Sequence, residues 1–395
     1  MDTRGDLPFY LCMRPQQRNS LRCEIPRLSS SHLLVALLLA QPACSAFGQP
    51  INASDQFLWR DARELTVEGK GWINAKDFYD RLPARAEALV RPPVWRLSQD
   101  SAGLSVRFVA DGTNIAARWT LRRESLAMPH MPASGVSGSD LYVKEKGGWH
   151  WLGAGRPEKS RTNEAVLVRG LAPRKREFAL YLPLYNGVHK VNIGVAGGNV
   201  FEPAAPPPEK VKPIAFYGTS IVQGGCASRP GMAYPAILGR RLDWPTVNLG
   251  FSGNAHSEPE VARLIAELHA AVYVLDPLPN MTADAVAARL EPFVTTLRQA
   301  QPGTPIILVE SLEFPASEIL AETRERVNEK NKQLREIYQR LTKAGQKRIF
   351  YVPAGKLIGT DGEATVDGVH PTDLGFVRMA DALTPVLRRA VKTGR

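Results

Sequence analysis

The stretch Ile214-Ala-Phe-Tyr-Gly-Thr-Ser-Ile-Val-Gln-Gly224 decides how the second half of the chain is interpreted. Its first four residues are apolar and typical of a buried strand, whereas Gly218-Thr219-Ser220 ends the run where a helix is expected to begin. A turn from strand to helix exposes the Ser220 hydroxyl at the carboxyl edge of a sheet, where parallel sheets bind ligands. Ser220 is therefore a candidate nucleophile, although a serine here also serves commonly as a helix cap.

Apolar runs of strand length alternate with amphipathic helices throughout this half of the chain. The runs are Pro213 to Tyr217, Thr246 to Phe251, Ala271 to Leu275, Pro305 to Glu310 and Arg348 to Val352. Such an alternation predicts a five-stranded parallel sheet covered on both faces, a three-layer α/β domain spanning 211–395. The charged stretch Glu322 to Arg340 is typical of the solvated face of a long helix.

The first half has a different pattern, with short alternating strands between Gly, Asn and Pro turns. Examples are Gly103 to Val109, Asn114 to Thr120, Asp140 to Val143 and Phe178 to Leu182. This pattern predicts a smaller all-β sandwich over residues 50–200. The proline-rich segment 201–210 is interpreted as a stiff linker between the two domains.

Residues 1–46 are interpreted as an export signal. Four arginines between Arg14 and Arg27 precede the apolar stretch Leu33 to Ala40, and small residues end at Ala46. The long lead leaves Met13 open as the true start, and a lipoprotein signal around Cys44 is the weaker alternative. The predicted location is periplasmic or extracellular, without stable membrane insertion, because this apolar stretch is too short to span a bilayer and no other segment could cross one.

Composition limits the classes of partner. The formal net charge is +11, but the basic residues are scattered without a long like-charged run, so no nucleic-acid partner is expected. Three of the four cysteines fall in the signal, and Cys226 is expected to be a small buried residue rather than a nucleophile. The histidines are spread singly, which predicts no metal site, and no cofactor is expected.

A serine nucleophile needs a base within hydrogen-bond reach. His370 is the candidate base, in Thr365-Val-Asp-Gly-Val-His-Pro371, and Asp367 three residues earlier can accept from the same imidazole. His256 is the rival base and ranks lower, because no aspartate accompanies it at short range.

Negative charge developing on a substrate oxygen needs fixed hydrogen-bond donors. Gly253, in the loop after the second strand, could present a backbone N–H, and Asn280, after the third, a side-chain amide. A tight turn at Gly253 and a helix cap at Asn280 are the alternatives.

Together these blocks resemble the SGNH (GDSL-type) hydrolase family over residues 211–395. The resemblance rests on Gly218-Thr219-Ser220, Gly253, Asn280 and, most specifically, Val366-Asp-Gly-Val-His-Pro371. It implies a flavodoxin-like domain with Ser220, Asp367 and His370 as triad, and with Ser220 N–H, Gly253 and Asn280 as oxyanion hole. The first block has Thr219 where the family has aspartate, and Asn280 follows proline rather than glycine, but both blocks keep the reacting side chains.

The first half also resembles the β-sandwich (jelly-roll-like) domain of one SGNH branch, at Met128 to Gly138 and Tyr181 to Asn186. If the former loop reaches the catalytic site, His130 and Met131 would contact the substrate. Trp149 and Trp151 alternate on one strand and would either stack on a sugar or form an inter-sheet contact.

The predicted function is hydrolysis of carboxylic esters, among them acetyl esters of carbohydrates, with a small-molecule or polysaccharide substrate. A lipase or thioesterase for longer acyl chains is the alternative within enzymes, and a non-catalytic carbohydrate-binding protein the alternative outside them. Phosphate binding at Gly218 to Gly225 is a weaker third possibility, because no Lys-Ser or Lys-Thr follows the glycines.

Overall fold

The computed structural model describes residue 51 and residues 56–393, so the predicted signal segment lies outside the described residues. No helix of the described part is both long enough and apolar enough to cross a bilayer.

The first half of the described chain forms an all-β sandwich, as predicted. Its strands are β1 (Leu58–Asp61), β2 (Thr66–Glu68), β3 (Ser105–Ala110), β4 (Asn114–Leu121), β5 (Ser139–Glu145), β6 (Gly148–Gly155), β7 (Thr162–Val168), β8 (Arg176–Tyr181), β9 (Val188–Ala196) and β10 (Phe201–Pro203). One antiparallel sheet has the order β1-β9-β4-β7, and the other has the order β10-β3-β8-β5-β6 with β2 paired to β3. Two helices, α1 (Pro92–Ser98) and α2 (Ala133–Val136), interrupt the strands.

Apolar residues at alternate positions along the strands form the core between the two sheets. On β4, Ile115, Trp119 and Leu121 are buried in it, while the intervening positions include the less buried Arg118 and Thr120. Phe108 and Phe178, directly opposite each other on β3 and β8, stack with ring centroids 5.2 Å apart.

The second half is a parallel sheet with helices on both faces, which confirms the predicted fold class. Its strands are β11 (Ile214–Gly218), β12 (Thr246–Gly250), β13 (Val272–Asp276), β14 (Ile306–Val309) and β15 (Ile349–Val352). Its α-helices are α3 (Ser220–Gln223), α4 (Tyr234–Leu242), α5 (Pro259–Ala266), α6 (Ala283–Ala300), α7 (Ala321–Lys343) and α8 (Asp373–Thr393). The strand order β12-β11-β13-β14-β15 is the flavodoxin-like order, with the first strand inside the sheet.

The three layers follow from the two-sided burial of the strands. Ala215 and Tyr217 of β11 face a cluster completed by α5, α6 and α7, whereas Ile214 and Phe216 face one completed by α4 and α8. Short 3-10 helices fill several connections: Ala62–Glu64, Ala84–Ala88, Pro230–Met232, Leu278–Asn280, Pro315–Glu318 and Ala354–Lys356.

Two features of the first half have no counterpart in the sequence analysis. Leu82, Val94 and Trp95, on and before α1, belong to the core cluster of the parallel sheet rather than to that of the sandwich. Phe201–Pro203, within the predicted linker, pairs with β3. The boundaries proposed for the two domains stay a prediction.

Arg81, in the segment before α1, is a buried cation that is only 2% exposed. Its guanidinium donates to the carbonyls of Leu97 at 2.6 Å and of Asp100, Asn248 and Gly250 at 2.9 Å each. These carbonyls lie on α1, on the segment that follows it and on β12, so a single side chain satisfies acceptors from both halves of the chain. A buried carbonyl without a donor is costly, which makes this contact a structural requirement.

We expect Arg81→Met to lower the free energy of unfolding by about 3–5 kcal/mol, because it keeps the apolar stem but leaves four buried or part-buried carbonyls without their donor. Chemical denaturation followed by circular dichroism measures the change. Arg96→Ala, which removes an exposed arginine on α1, is the matched control and should alter stability by less than about 0.5 kcal/mol. A loss below about 1 kcal/mol in Arg81→Met would contradict this role.

Candidate active site

Ser220 lies at the junction of β11 and α3, where the sequence analysis expected it. Thr219 caps the helix by accepting a hydrogen bond from the Ile221 backbone N–H at 3.2 Å, so Ser220 is not the capping residue. Only glycine fits at position 218 beside the end of β13, since a Cβ there would lie 2.5 Å from the Asp276 carbonyl oxygen. The turn therefore holds the Ser220 hydroxyl at the carboxyl edge of the sheet.

His370 and Asp367 lie in a turn that is largely self-supporting. Asp367 Oδ1 accepts from the backbone N–H groups of Val369 at 3.0 Å and His370 at 2.8 Å. The Val366 N–H donates to the His370 carbonyl at 2.8 Å, and Gly368 has a φ of +85°. Because these contacts are local, the short sequence is enough to aim the aspartate at its histidine.

The structure brings Ser220, His370 and Asp367 together in one hydrogen-bonded chain. His370 Nε2 lies 2.8 Å from Ser220 Oγ, and His370 Nδ1 lies 2.7 Å from Asp367 Oδ2. A carboxylate only accepts, so Nδ1 carries the ring proton and Nε2 presents its lone pair to the Ser220 hydroxyl. This is the arrangement in which histidine can remove a serine proton.

Asp367 is held in its ionised form. Burial opposes ionisation, but hydrogen bonds from the His370 backbone and ring and from the Val369 backbone outweigh it and lower the pKa of the Asp367 carboxyl. The carboxylate is thus available to stabilise an imidazolium on His370.

Gly253 and Asn280 lie in the loops after β12 and β13. Gly253 has a φ of +66° in a tight turn, and no described residue accepts a hydrogen bond from its N–H. Asn280 Oδ1 accepts from the Ala255 N–H at 3.3 Å, which leaves its Nδ2 hydrogens without an acceptor among the described residues. Asn280 is not a helix cap, because Thr282 caps α6. Both loops therefore offer free donors.

A buried polar network, which was not predicted from the sequence, holds the Gly253 loop. Gln223 accepts from the Ser252 N–H at 3.1 Å and donates to Asp100 Oδ2 at 3.0 Å and to the Leu184 carbonyl at 3.1 Å. Asp100 is also paired with Arg123. The only sequence signal was a glutamine on the apolar first turn after Ser220, which by itself specifies no partner.

The loop from Met128 to Gly138 reaches this site. The His130 ring lies beside that of His370, with centroids 5.4 Å apart. Met131 is buried in the cluster that also contains Ile221 and Cys226. Cys226 is a free, buried cysteine, and burial together with the charge of Asp367 raises the pKa of its thiol to about 12, which disfavours a nucleophilic role.

The rival base, His256, lies near a glutamate and is not the histidine that hydrogen-bonds to Ser220. His256 Nδ1 lies 3.8 Å from Glu258 Oε1, and Ser220 Oγ is hydrogen-bonded to His370.

Trp149 and Trp151 are half-buried and hydrogen-bonded. Their indole N–H groups donate to Asp243 Oδ1 at 3.3 Å and to Asp140 Oδ1 at 2.7 Å, respectively. Arg229 lies over the Trp151 ring and pairs with Asp140. Both indoles thus contact neighbouring polar side chains of the chain itself.

Asp276, at the end of β13, is a buried carboxyl that the sequence analysis did not single out. It accepts a hydrogen bond from the Tyr234 hydroxyl at 3.1 Å and is 2% exposed. Burial raises the pKa of Asp276 to about 8 despite this hydrogen bond, which favours the neutral carboxyl at pH 7.

Comparisons with known proteins cover both halves of the chain. Residues 57–201 match the family model "N-terminus of Esterase_SGNH_hydro-type", and residues 211–388 match that of the GDSL-like Lipase/Acylhydrolase family. A Bacteroides ovatus protein assigned as a GDSL-like lipase is 35% identical, with a TM-score of 0.80 over 85% of this chain and 98% of that one. A search of curated proteins found no match.

Two more distant solved structures share the fold. A salicylyl-acyltransferase from a tetracycline biosynthetic pathway is 20% identical, with a TM-score of 0.67 over 87% of this chain and 98% of that one. A family two carbohydrate esterase from Cellvibrio japonicus is 14% identical, with a TM-score of 0.55 over 86% of this chain and all of that one.

We expect Asp276→Asn to change how stability depends on pH. The folded protein keeps a proton on Asp276 that the unfolded chain releases above its ordinary pKa of 3.8, so the contribution of this carboxyl to wild-type stability falls as pH rises from about 4 to about 8. The variant lacks this titration and should gain stability relative to the wild type by up to about 1.4 kcal/mol per pH unit within that window. Urea unfolding at several pH values measures the difference, with exposed Asp284→Asn as control. Parallel pH profiles for Asp276→Asn and the wild type would contradict a buried neutral carboxyl.

Proposed function

The chain belongs to the GDSL-like lipase/acylhydrolase family, and on this premise we propose that it is an exported serine esterase with Ser220, His370 and Asp367 as catalytic triad. The observation that carries the proposal is the continuous chain of short hydrogen bonds from Ser220 Oγ through His370 to Asp367. A serine without such a base would be a poor nucleophile.

Acylation would begin with attack of Ser220 Oγ on the ester carbonyl carbon. His370 Nε2 takes the hydroxyl proton, and the Asp367 carboxylate stabilises the imidazolium that forms. The bond between the acyl carbon and the alcohol oxygen then breaks, and His370 returns its proton to the departing alcohol. An acyl-enzyme on Ser220 remains.

Deacylation would repeat these steps with water as the nucleophile. His370 accepts a proton from water, the hydroxide attacks the acyl carbon, and the carboxylic acid leaves as Ser220 regains its proton. The chain's own side chains perform every proton transfer.

The backbone N–H of Gly253 and the side-chain amide of Asn280 are proposed to join the Ser220 N–H in stabilising the oxyanion. Their support is that the Gly253 N–H and the Asn280 amide hydrogens find no acceptor among the described residues, while fixed contacts to Gln223 and Ala255 hold their loops. Such preorganised donors stabilise the tetrahedral intermediate more than the planar substrate.

We propose acetyl or other short-chain esters of carbohydrates outside the cytoplasm as the substrate class. The apolar stretch after a basic segment in residues 1–46 supports export. The fold shared with a family two carbohydrate esterase supports a carbohydrate ester. A longer acyl chain, as in a lipase or thioesterase, is the competing substrate.

Hydrolysis of p-nitrophenyl acetate, butyrate and octanoate by the purified protein tests both points. We expect Ser220→Ala to lose at least about 10⁴-fold in kcat on every ester, because no other hydroxyl is activated by His370. The order of kcat/KM along the series identifies the preferred acyl length, and acetylated xylan tests a carbohydrate ester directly.

The controls separate the two candidate bases. His370→Ala should be as inactive as Ser220→Ala, whereas His256→Ala and the exposed Ser125→Ala should keep wild-type activity. Circular dichroism establishes that each variant is folded. Equal activity in folded Ser220→Ala and wild type would overturn the serine mechanism.

His130 and Met131 are proposed substrate contacts, supported by the His130 ring beside His370. We expect His130→Ala to change the relative kcat/KM of acetyl and octanoyl esters, because it removes a ring beside His370. An unchanged substrate profile would remove His130 from the substrate-binding surface.

A further inference from the structure

Four potential metal ligands from separate segments meet beside Ser220. One donor atom from each of His130, Cys226, Asp367 and His370 lies within 4.8 Å of the donor atoms of the other three. We refer to these residues as the four-ligand cluster. No described residue hydrogen-bonds to a His130 ring nitrogen or to the Cys226 sulfur, so two of the four donors have no competing partner.

The donor set matches one class of cation. Imidazole nitrogen, thiolate sulfur and carboxylate oxygen together are typical ligands of Zn²⁺ and Co²⁺, whereas Mg²⁺ and Ca²⁺ prefer oxygen alone. Two neutral imidazoles, one thiolate and one carboxylate would also balance the charge of a divalent ion. We propose that the four-ligand cluster is a reversible Zn²⁺ site and that the bound ion inhibits the enzyme.

Three of the ligands are held in place. Asp367 and His370 lie in the hydrogen-bonded turn, and Cys226 follows α3 in a loop whose Ser228 N–H donates to Asp373 Oδ1 at 2.9 Å. The Ser228 carbonyl also accepts from the Ser134 hydroxyl at 2.6 Å. Cys226 itself has a φ of +71°, a conformation fixed by this anchored loop.

His130 is the adjustable ligand. It lies at the tip of a turn closed by paired backbone hydrogen bonds between Met128 and Met131, and its neighbour Pro129 is exposed. Donors around tetrahedral zinc lie about 3.3–3.8 Å apart, so donors as far apart as 4.8 Å must approach by about 1 Å, whereas Asp367 Oδ2 and His370 Nδ1, 2.7 Å apart, must separate. Movement of this exposed turn and rotation of the His130 ring bring its nitrogen toward the other donors, and the ion displaces the thiol proton of Cys226 to solvent as it binds.

Inhibition follows from the identity of the shared ligands. A metal ion that coordinates an imidazole nitrogen of His370 or the Asp367 carboxylate breaks the hydrogen-bonded chain from Ser220 through His370 to Asp367. The inhibitory half of the proposal rests on the proposed esterase function, whereas metal binding itself does not.

Titration with Co²⁺ tests the site without reference to activity. The wild-type protein should develop the near-ultraviolet absorption of a cobalt thiolate, and Cys226→Ala should lose it apart from any contribution of the cysteines in residues 1–46. His130→Ala, as a second variant, should keep the thiolate band but bind Co²⁺ about 10–100-fold more weakly. Identical spectra in wild type and Cys226→Ala, or no Co²⁺ binding by the wild type, would overturn the proposal.

Titration of p-nitrophenyl acetate hydrolysis with Zn²⁺ tests inhibition. Zn²⁺ should inhibit the wild type, EDTA should restore its activity, and Mg²⁺ should have no effect. Cys226→Ala should hydrolyse the ester normally but need at least about tenfold more Zn²⁺ for half-inhibition. His150→Ala, which removes an exposed histidine outside the cluster, should be as sensitive as the wild type.

The two measurements distinguish failure of the metal site from failure of the proposed esterase function. A cobalt thiolate spectrum in a protein without esterase activity would support the site and contradict the proposed function. Esterase activity that Zn²⁺ inhibits equally in wild type and Cys226→Ala would leave the function intact and overturn the inhibitory role of this site.

Discussion

The hydrogen bond between Ser220 Oγ and His370 Nε2 joins residues 150 positions apart in the chain. It can form only because the tertiary structure holds these two residues side by side. Ser220 follows an inner strand of the parallel sheet, and His370 lies in the turn just before the last helix. Helix α8 packs its apolar side on the same cluster that receives Phe216 of β11. The distance between the two side chains is therefore set by packing of the sheet and α8 rather than by local sequence, and a shift of 1 Å would break the bond.

The N-terminal half contributes directly to the surroundings of Ser220. Its Asp100 accepts a hydrogen bond from the side-chain amide of Gln223. The side-chain oxygen of Gln223 in turn accepts from the Ser252 N–H, in the loop that contains Gly253. The Tyr185 hydroxyl donates to the Ser220 carbonyl at 3.2 Å, and Arg81 donates to carbonyls on β12. Each of these contacts satisfies a buried polar group that would otherwise destabilise the α/β half. The N-terminal half thus acts as a part of the site scaffold.

The same loops that position the proposed triad also gather donors that the triad does not use. His130 comes from the sandwich, Cys226 from the loop after α3, and Asp367 and His370 from the turn before α8. Hydrolysis requires a free imidazole, whereas metal coordination would occupy it. The residues that would transfer the proton are therefore also residues that Zn²⁺ could bind, and a bound ion would prevent the transfer.

The sequence by itself determined the parallel sheet, the sandwich and the turn from Asp367 to His370, because apolar periodicity and hydrogen bonds within a few residues are local properties. It also singled out Ser220, Gly253 and Asn280, since the ends of parallel strands meet at one edge. Only the tertiary structure decided the partners of Arg81 and Gln223, the ionisation of Asp276 and the meeting of His130 with Cys226. Each of these depends on groups far apart in the chain and on burial, and neither the identity of a distant neighbour nor the exclusion of water can be read from a short stretch of sequence.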